Sequence, residues 1–176
     1  MKSPRERIIE TTFQLFARQG YNSTGINQII SEAEVARASF YQYFKSKEDL
    51  CVEFLNVRHE YWFGELHQFL LQEKDSKSKI IKAFDFLVYM NGKESFRGCS
   101  FLNILSEIPM DNIKILSVIQ SHKADLRNFF LDLLDNDDEL SDHIYMLFES
   151  SIIESQLFKS NELIEKSKKL VTNLIQ

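Results

Sequence analysis

The fold is decided by residues 8–50, which read IIETTFQLFARQGYNSTGINQIISEAEVARASFYQYFKSKEDL. A first helix is predicted to start just upstream at Ser3 and Pro4, because Ser caps helices and Pro suits the first helical position. Apolar residues then recur with the period of a helix as far as Gly20, a residue type that commonly ends helices. The stretch therefore opens with one amphipathic helix.

Two short helices are predicted next, over residues 26–33 and 37–44. A loop at 21–25, rich in helix-capping residue types, precedes the first of them. Only residues 34–36 separate the two helices. Two short helices joined by so tight a turn form a helix-turn-helix pattern.

The rest of the chain also follows helical periodicity, and no segment shows convincing strand alternation. A long fourth helix is predicted from about Ser46 to Glu73, since Ser46 can cap it and Asp49 stands close to a capping-box position. Further helices are predicted over 77–91, 99–107, 112–134, 138–159 and 161–175, with breaks at Asn91-Gly92, Pro109 and 135–138. Only 5 Gly and 2 Pro occur in the chain, which favours long helices.

These elements predict an all-α protein of about nine helices. A three-helix N-terminal domain with the helix-turn-helix is placed at residues 1–47, and a larger helical domain at 48–176. The length of 176 residues suits one domain or two small ones. Hydrophobic residues make up 44% and charged residues 27%, which excludes a disordered chain.

The composition also predicts a cytoplasmic protein with no membrane partner. No window approaches the ~18 uncharged apolar residues of a membrane span. Charges interrupt the apolar residues at the N-terminus, so no signal peptide is predicted. Two Cys residues are too few for a disulfide framework and fit a reducing compartment.

Charge is distributed unevenly along the chain. The net charge is −5, but residues 1–47 carry seven basic and four acidic side chains, a net of +3, and the remainder carries −8. A basic N-terminal part on an acidic body favours an anionic partner for the N-terminal part.

A set of positions in the opening stretch shares its order and spacing with a known family. The positions are Leu15, Phe16, Gly20, Tyr21, Thr24, Ile29, Ala33, Val35, Phe40, Tyr41, Tyr43, Phe44, Ser46, Lys47, Glu48 and Leu50. With them, the stretch resembles the DNA-binding domain of the TetR family of bacterial transcription regulators. The resemblance is strong over residues 5–55, about a third of the chain. Beyond it, only the helical pattern and the total length agree with the family.

The third predicted helix has the character of a helix that reads the major groove of DNA. The groove is about 12 Å wide and admits one helix. The outward positions are small or polar: Arg37, Ala38, Ser39 and Gln42. Small side chains let the backbone approach the bases, while Arg hydrogen-bonds best to guanine and Gln to adenine. The resemblance implies that these positions face bases.

The resemblance also implies phosphate contacts. Lys47 begins the fourth predicted helix, whose N-terminal amides favour phosphate. The complete predicted DNA-binding set is Thr24, Gly25, Arg37, Ala38, Ser39, Tyr41, Gln42, Tyr43 and Lys47. Plainer alternatives remain open: Tyr41 is a core aromatic, Lys47 is solvated surface, and Thr24 only caps a helix.

The turn of the helix-turn-helix departs from the family pattern at two positions. Glu34 stands where the family usually has Gly, and a residue with a side chain does not adopt a left-handed conformation freely. Ala36 stands where a capping Ser is common, and a missing cap costs ~0.5–2 kcal/mol. A less rigid turn is expected.

The resemblance implies that the C-terminal domain binds a ligand and forms a homodimer through the last two long helices. Candidate interface residues are Ile144, Leu147, Phe148, Ile152 and Phe158, with the small Ser150, Ser151 and Ser155, then Leu163, Ile164, Ser167, Leu170, Val171, Leu174 and Ile175. The alternative is that they form ordinary intrachain core. A dimer is favoured because one helix-turn-helix gives little affinity and a dimer reads two half-sites.

The predicted effector is a small apolar molecule. Its predicted contacts are Trp62, Phe63, Phe86, Tyr89, Cys99, Asn103 and Glu107. The last three are spaced by four positions, so they are expected on one face of a single helix. Cys99 is also a candidate sensor of oxidants or electrophiles, since thiols at helix N-termini tend to be reactive. The alternative is that these residues only pack.

The function predicted from the sequence is a transcriptional repressor that a small molecule releases from palindromic, double-stranded operator DNA. One alternative is a redox- or electrophile-sensing regulator that uses Cys99, and another is a helical adaptor that binds protein. No cofactor or metal site is predicted, because His59 and His67 are eight positions apart and no clear set of further metal ligands accompanies them. Motifs such as GxSxG, HExxH and CxxC are missing, so no enzyme is expected.

Overall fold

The computed structural model describes residues 2–175, and over that range the structure has nine α-helices and no β-strand. The helices are α1 (Pro4–Gln19), α2 (Ile26–Glu32), α3 (Arg37–Tyr43), α4 (Lys47–Leu70), α5 (Ser76–Glu94), α6 (Ser100–Leu105), α7 (Ile113–Leu133), α8 (Asp138–Phe158) and α9 (Glu162–Leu174). The all-α prediction is confirmed. Within the described residues, no helix has the length and apolar character needed to cross a bilayer.

The local signals in the sequence set the starts of the N-terminal helices. α1 begins with a capping box, in which the Glu6 N–H donates to the Ser3 hydroxyl and the Ser3 N–H donates to the Glu6 carboxylate. The Asp49 N–H donates to the Ser46 hydroxyl at the start of α4. Gly20 ends α1 with a φ of 85°, a conformation that favours glycine.

Several predicted helix bounds were wrong, and α4 ends at Leu70 rather than near Glu73. α5 runs through the expected break at Asn91-Gly92 and ends at Glu94. An interior Gly costs only ~1 kcal/mol relative to Ala, and burial of Met90 and Asn91 offsets that cost. α6 covers only Ser100–Leu105 instead of 99–107.

Residues 2–60 pack with Ser100–Gln120 into one compact unit. Its hydrophobic core contains Ile8, Leu15, Ile29, Ala33, Phe40, Phe44 and Leu50. These residues come from α1, α2, α3 and the start of α4, so all four elements are held around one core. This unit is larger than the predicted domain at 1–47, since it also holds the first part of α4, the whole of α6 and the start of α7.

The second compact unit consists of Tyr61–Cys99 and residues 121–175. Its core is strongly aromatic, with Phe84, Phe86, Phe130 and Phe148 fully buried. α5, α8 and α9 pack against one another there. The hydroxyls of Ser151 on α8 and Ser167 on α9 lie 3.0 Å apart in the interior. These small residues therefore allow close helix approach within one chain.

Candidate nucleic-acid interface

α3 presents a polar, exposed face and anchors itself through two aromatic side chains. Phe40 and Phe44 are buried in the core of the first unit. Arg37, Ala38 and Gln42 are exposed, as predicted for a helix that reads bases. The exposed face of α3 also includes Tyr43, at 44% exposure, and Ser39, which is half-buried.

Arg37 is held in place before any partner arrives. Its Nη1 donates a hydrogen bond of 2.8 Å to the Asn27 side chain on α2. Its guanidinium lies 5.4 Å from the centroid of the Tyr41 ring. Tyr41 is half-buried against the core and Phe40, so its ring has the packing role that was left open as an alternative. Sequence reasoning missed Asn27, because its role depends on how α2 meets α3.

Glu34 adopts the left-handed conformation at the turn, with a φ of 51°. The backbone there is tied from α1, since Arg7 Nη1 donates a hydrogen bond of 2.9 Å to the Glu34 carbonyl. Ala36 caps α3 without any side-chain hydrogen bond, as the sequence predicts. The turn therefore carries a backbone cost of ~1–2 kcal/mol but is braced by a second helix.

The Thr24 side chain is turned inward. It is fully buried, and its hydroxyl donates 2.7 Å to the Gly20 carbonyl. Thr24 therefore braces the α1–α2 loop from inside, and the DNA contact expected of it stays a prediction. Gly25, next in the chain, is exposed and precedes α2 as its cap residue.

Lys47 is the first residue of α4, and it sits against the α1–α2 loop. Its ammonium lies 4.2 Å from the centroid of the Tyr21 ring and 3.4 Å from the Asn22 carbonyl oxygen. Burial lowers the pKa of Lys47, while the nearby Cys51 and Glu107 act in the opposite direction. The cation is thus oriented by its neighbours at a helix N-terminus, the arrangement that favours phosphate.

Glu107, a predicted effector contact, has its carboxylate bound to the α1–α2 loop. It lies beyond the end of α6, and its carboxylate accepts hydrogen bonds from the backbone N–H groups of Tyr21 (3.1 Å) and Asn22 (2.7 Å). Cys99 precedes α6, so the expected single helix face of Cys99, Asn103 and Glu107 does not exist. A six-residue helix is too short to place all three on one face.

The predicted aromatic contacts form one run of neighbouring rings, in which the Phe86 ring centroid lies 5.2 Å from that of Trp62 and 6.1 Å from that of Tyr89. Phe86 is fully buried in the core of the second unit. Tyr89 is 42% exposed, and its hydroxyl donates to Glu65. Trp62 and Phe63 are half-buried, in edge contact with each other at 5.2 Å. The predicted aromatic set therefore stays together, with Phe86 buried and Trp62, Phe63 and Tyr89 partly accessible.

Cys99 has a charged neighbour that the sequence did not reveal. Lys123 Nζ lies 3.5 Å from the Cys99 sulfur and 2.6 Å from the Glu149 carboxylate. Burial lowers the pKa of Lys123, but Cys99 and Glu149 outweigh it, so the pKa of Lys123 is raised overall. A protonated amine therefore faces this half-buried thiol, whereas Cys51 is fully buried.

The apolar residues expected at a dimer interface divide into two groups. Those in the intrachain core are Ile144, Phe148, Ile164, Val171 and Ile175, so their predicted place at an interface is wrong. Those with exposed side chains are Met146, Ile153, Leu157 and Phe158 on α8, and Leu170 and Leu174 on α9. Both helices therefore keep an apolar face outside the core of the second unit.

The geometry of the first unit is that of a helix-turn-helix domain with an exposed, polar second helix. Residues 8–54 match the family model described as "Bacterial regulatory proteins, tetR family". Over these residues the chain is similar to this family.

Individual bacterial regulators are similar to this chain over different lengths. The transcriptional regulator YuxN of Bacillus subtilis is 43% identical over 63 residues, which are 36% of this chain and 22% of YuxN. YxaF of the same organism is 33% identical over 101 residues, 53% of this chain and 50% of YxaF. This chain thus spans half or less of the length of these two relatives.

One solved structure extends the likeness of fold to the whole chain. A TetR-family transcriptional regulator from Streptomyces coelicolor superimposes with a TM-score of 0.89, covering 97% of this chain and 93% of its own. At 23% sequence identity, this similarity concerns the fold.

Proposed function

We propose that this protein is a dimeric, sequence-specific DNA-binding regulator of transcription, a repressor that a small apolar molecule releases from a palindromic operator. The observation that carries the proposal is the exposed face of α3, with Arg37, Ala38 and Gln42 presented from a packed helix-turn-helix. The family match over the same residues supports it. The site of action is the cytoplasm, where a bacterial regulator meets DNA.

Arg37 and Gln42 are the proposed readers of bases. Arg37 reaches guanine through two parallel hydrogen bonds, and Gln42 pairs with adenine in the same way. The bond from Arg37 to Asn27 orients the guanidinium beforehand, so less side-chain freedom is lost on binding. Ala38, with only a methyl group, lets the helix backbone come close.

Tyr43, the last residue of α3, and Lys47, the first residue of α4, are the proposed phosphate contacts. Lys47 supplies a charge at the N-terminus of α4, and the exposed Tyr43 supplies a hydroxyl donor. Such contacts set the register of the protein on the duplex and carry no sequence information themselves. Their contribution should therefore weaken with salt.

The exposed apolar face of α8 and α9 is the proposed homodimer interface. On α8, Met146, Ile153 and Leu157 are spaced by seven and four positions, so they lie on one side of the helix. A twofold dimer brings the same face of each copy together and presents two copies of α3 to two half-sites.

The effector is proposed to act by changing the distance between the two copies of α3 in the dimer. The half-buried Trp62 and Phe63 are the proposed effector contacts in the second unit. The effector needs only a stronger affinity for the state that does not fit the operator, typically ~1–3 kcal/mol of coupling.

DNA selection from a random duplex pool tests the proposal. The wild-type protein should enrich a palindromic sequence. Arg37→Ala should then weaken operator binding by ~1–3 kcal/mol and relax the preference at one base position. Lys47→Ala should weaken binding to all sequences and reduce the slope of log affinity against log salt by about one. If neither substitution changes DNA binding, these site assignments are wrong. If the wild-type protein enriches nothing, a protein-binding adaptor becomes the better explanation.

A thiol-responsive regulator is the second candidate, and the contact of Lys123 with Cys99 favours it. Lys123 can hydrogen-bond the sulfur, and the half-buried side chain keeps it within reach of a small electrophile. A Michael acceptor such as N-ethylmaleimide adds at one carbon to the sulfur, and its neighbouring carbon takes the thiol proton. The modified Cys99 would then control DNA release.

Stoichiometric N-ethylmaleimide treatment tests this candidate. Mass spectrometry should find label on Cys99 and none on Cys51, because burial raises the pKa of Cys51 to about 12. Labelled protein should release the operator, while Cys99→Ser should bind it regardless of treatment. Unchanged operator affinity after complete labelling of Cys99 excludes the thiol mechanism and leaves the non-covalent effector.

A further inference from the structure

The α1–α2 loop is held by a carboxylate that lies 85 residues further along the chain. Besides the two backbone bonds to its carboxylate, Glu107 accepts a hydrogen bond of 2.7 Å from the Asn22 side chain at its carbonyl oxygen. Three bonds thus join Glu107 to two consecutive loop residues. We call the group Gly20, Tyr21, Asn22 and Glu107 the loop clamp.

Gly20 leaves the space that the clamp occupies. A β-carbon at this position would lie 2.6 Å from Glu107 Oε1, closer than a real contact allows. The φ of 85° at Gly20 turns the chain so that the following N–H groups point at the carboxylate. The carboxylate can therefore reach two successive donors only because glycine is there.

The clamped loop is also the surface on which Lys47 rests. Tyr21 provides the ring beneath the ammonium, and Asn22 provides the carbonyl oxygen beside it. The same two residues donate their backbone N–H groups to Glu107. A change at Glu107 therefore reaches Lys47 through this loop, in addition to the direct effect of its charge on Lys47.

The segment after α6 contacts the start of α4 as well. The Asn112 side chain donates 2.6 Å to Glu48, and Lys114 pairs with Asp49. Lys47, Glu48 and Asp49 form the first turn of α4. The segment 107–114 thus braces both the loop and the helix turn that together orient Lys47.

We propose that Glu107 is a positioning residue for DNA binding, which fixes the Tyr21–Asn22 backbone and thereby holds the Lys47 ammonium in place for a phosphate. This inference rests on the proposed function. The DNA affinity expected for a Glu107 variant is opposite to the one that electrostatics alone predicts. Removing a negative charge near DNA ordinarily strengthens binding, whereas loss of the clamp weakens it.

The test compares Glu107→Gln with Asp111→Asn, using the operator duplex selected with wild-type protein. Gln keeps one acceptor oxygen but turns an amide NH2 toward the second loop N–H. Loss of one hydrogen bond to a charged acceptor predicts about tenfold weaker binding. Asp111 is exposed in the same segment and loses the same charge, so its variant should bind equally well or more tightly.

A double-mutant cycle with Lys47→Ala separates positioning from general damage to the fold. In the Lys47→Ala background, Glu107→Gln should change the operator affinity by less than about twofold, because the group that it positions is gone. Glu107→Gln alone should also reduce the slope of log affinity against log salt by about one phosphate contact. A tenfold loss that persists in the Lys47→Ala background overturns the inference, as does equal or tighter binding by Glu107→Gln.

Circular dichroism checks that each variant is folded. If Glu107→Gln does not fold, Asn22→Ala replaces it, since that variant removes only the side-chain donor to the Glu107 carbonyl. Its binding should also weaken, and additivity with Lys47→Ala would refute the positioning role. Wild-type protein that selects no DNA at all would refute the proposed function instead, so the two failures are distinguishable.

Discussion

Glu34→Gly should stabilise the protein, because Glu34 holds the left-handed turn between α2 and α3 at a φ of 51°. For an L-residue with a β-carbon, this conformation costs ~1–2 kcal/mol. Glycine adopts it without that strain. The side chain of Glu34 is exposed, so its removal opens no cavity.

The size of the gain follows from what the substitution keeps and what it loses. The Arg7 bond to residue 34 uses the backbone carbonyl, and the bond from its N–H to the Ser31 carbonyl is also backbone, so both remain. Glycine also increases the conformational entropy of the unfolded chain, which lowers the free energy of unfolding by ~0.4–1 kcal/mol. The net gain should be about 0.5–1 kcal/mol, or a few degrees in Tm.

Urea unfolding followed by circular dichroism measures the gain, with Glu34→Ala as the matched control. Alanine removes the same carboxylate but keeps the β-carbon, so its free energy of unfolding should stay within ~0.5 kcal/mol of wild type. If Glu34→Gly is no more stable than Glu34→Ala, the turn is not strained and the reasoning fails.

Three further outcomes are expected. Burial raises the pKa of Cys51 from 9.0 to about 12, so the folded state keeps a proton that the unfolded state loses above pH 9. Between pH 8 and 10, the free energy of unfolding of wild type should therefore fall by about 1 kcal/mol more than that of Cys51→Ala, as measured by urea unfolding. Equal losses in the two proteins would contradict this. Gly20→Ala should destabilise by ~1–3 kcal/mol in thermal unfolding, with part recovered by adding Glu107→Ala, whereas no recovery would argue against the close contact. Leu157→Glu should convert the dimer to a monomer in sedimentation velocity, and a persistent dimer would place the interface elsewhere.

Local chemistry explains why the sequence predicts the helices of this protein so well. The cap at Ser3, the stop at Gly20 and the cap at Ser46 all act within a few residues of where they stand. The exposed residues of α3 were also predictable, because Phe40 and Phe44 fix which side of a short helix faces the core. Helical periodicity can be recognised from residues that are close in sequence, without information on distant contacts.

The sequence was less informative where the neighbouring residues are compatible with several structural roles for one side chain. Thr24 can cap a helix, bind a phosphate or brace a loop, and only the tertiary structure shows that it is buried against the Gly20 carbonyl. Asn91 and Gly92 look like a helix end, yet packing along α5 carries the helix past them. In both cases tertiary contacts outweigh a local preference of about 1 kcal/mol.

The sequence by itself determined the order of the helices, the helix-turn-helix and the polar face of α3, since each depends on neighbours in the chain. Tertiary structure alone decided that Glu107 closes on the Tyr21–Asn22 loop and that Lys123 faces Cys99. It also decided which apolar residues of α8 and α9 enter the core. The physical reason is that such contacts join residues far apart in sequence, where helix packing, and not helical period, sets which side chains meet.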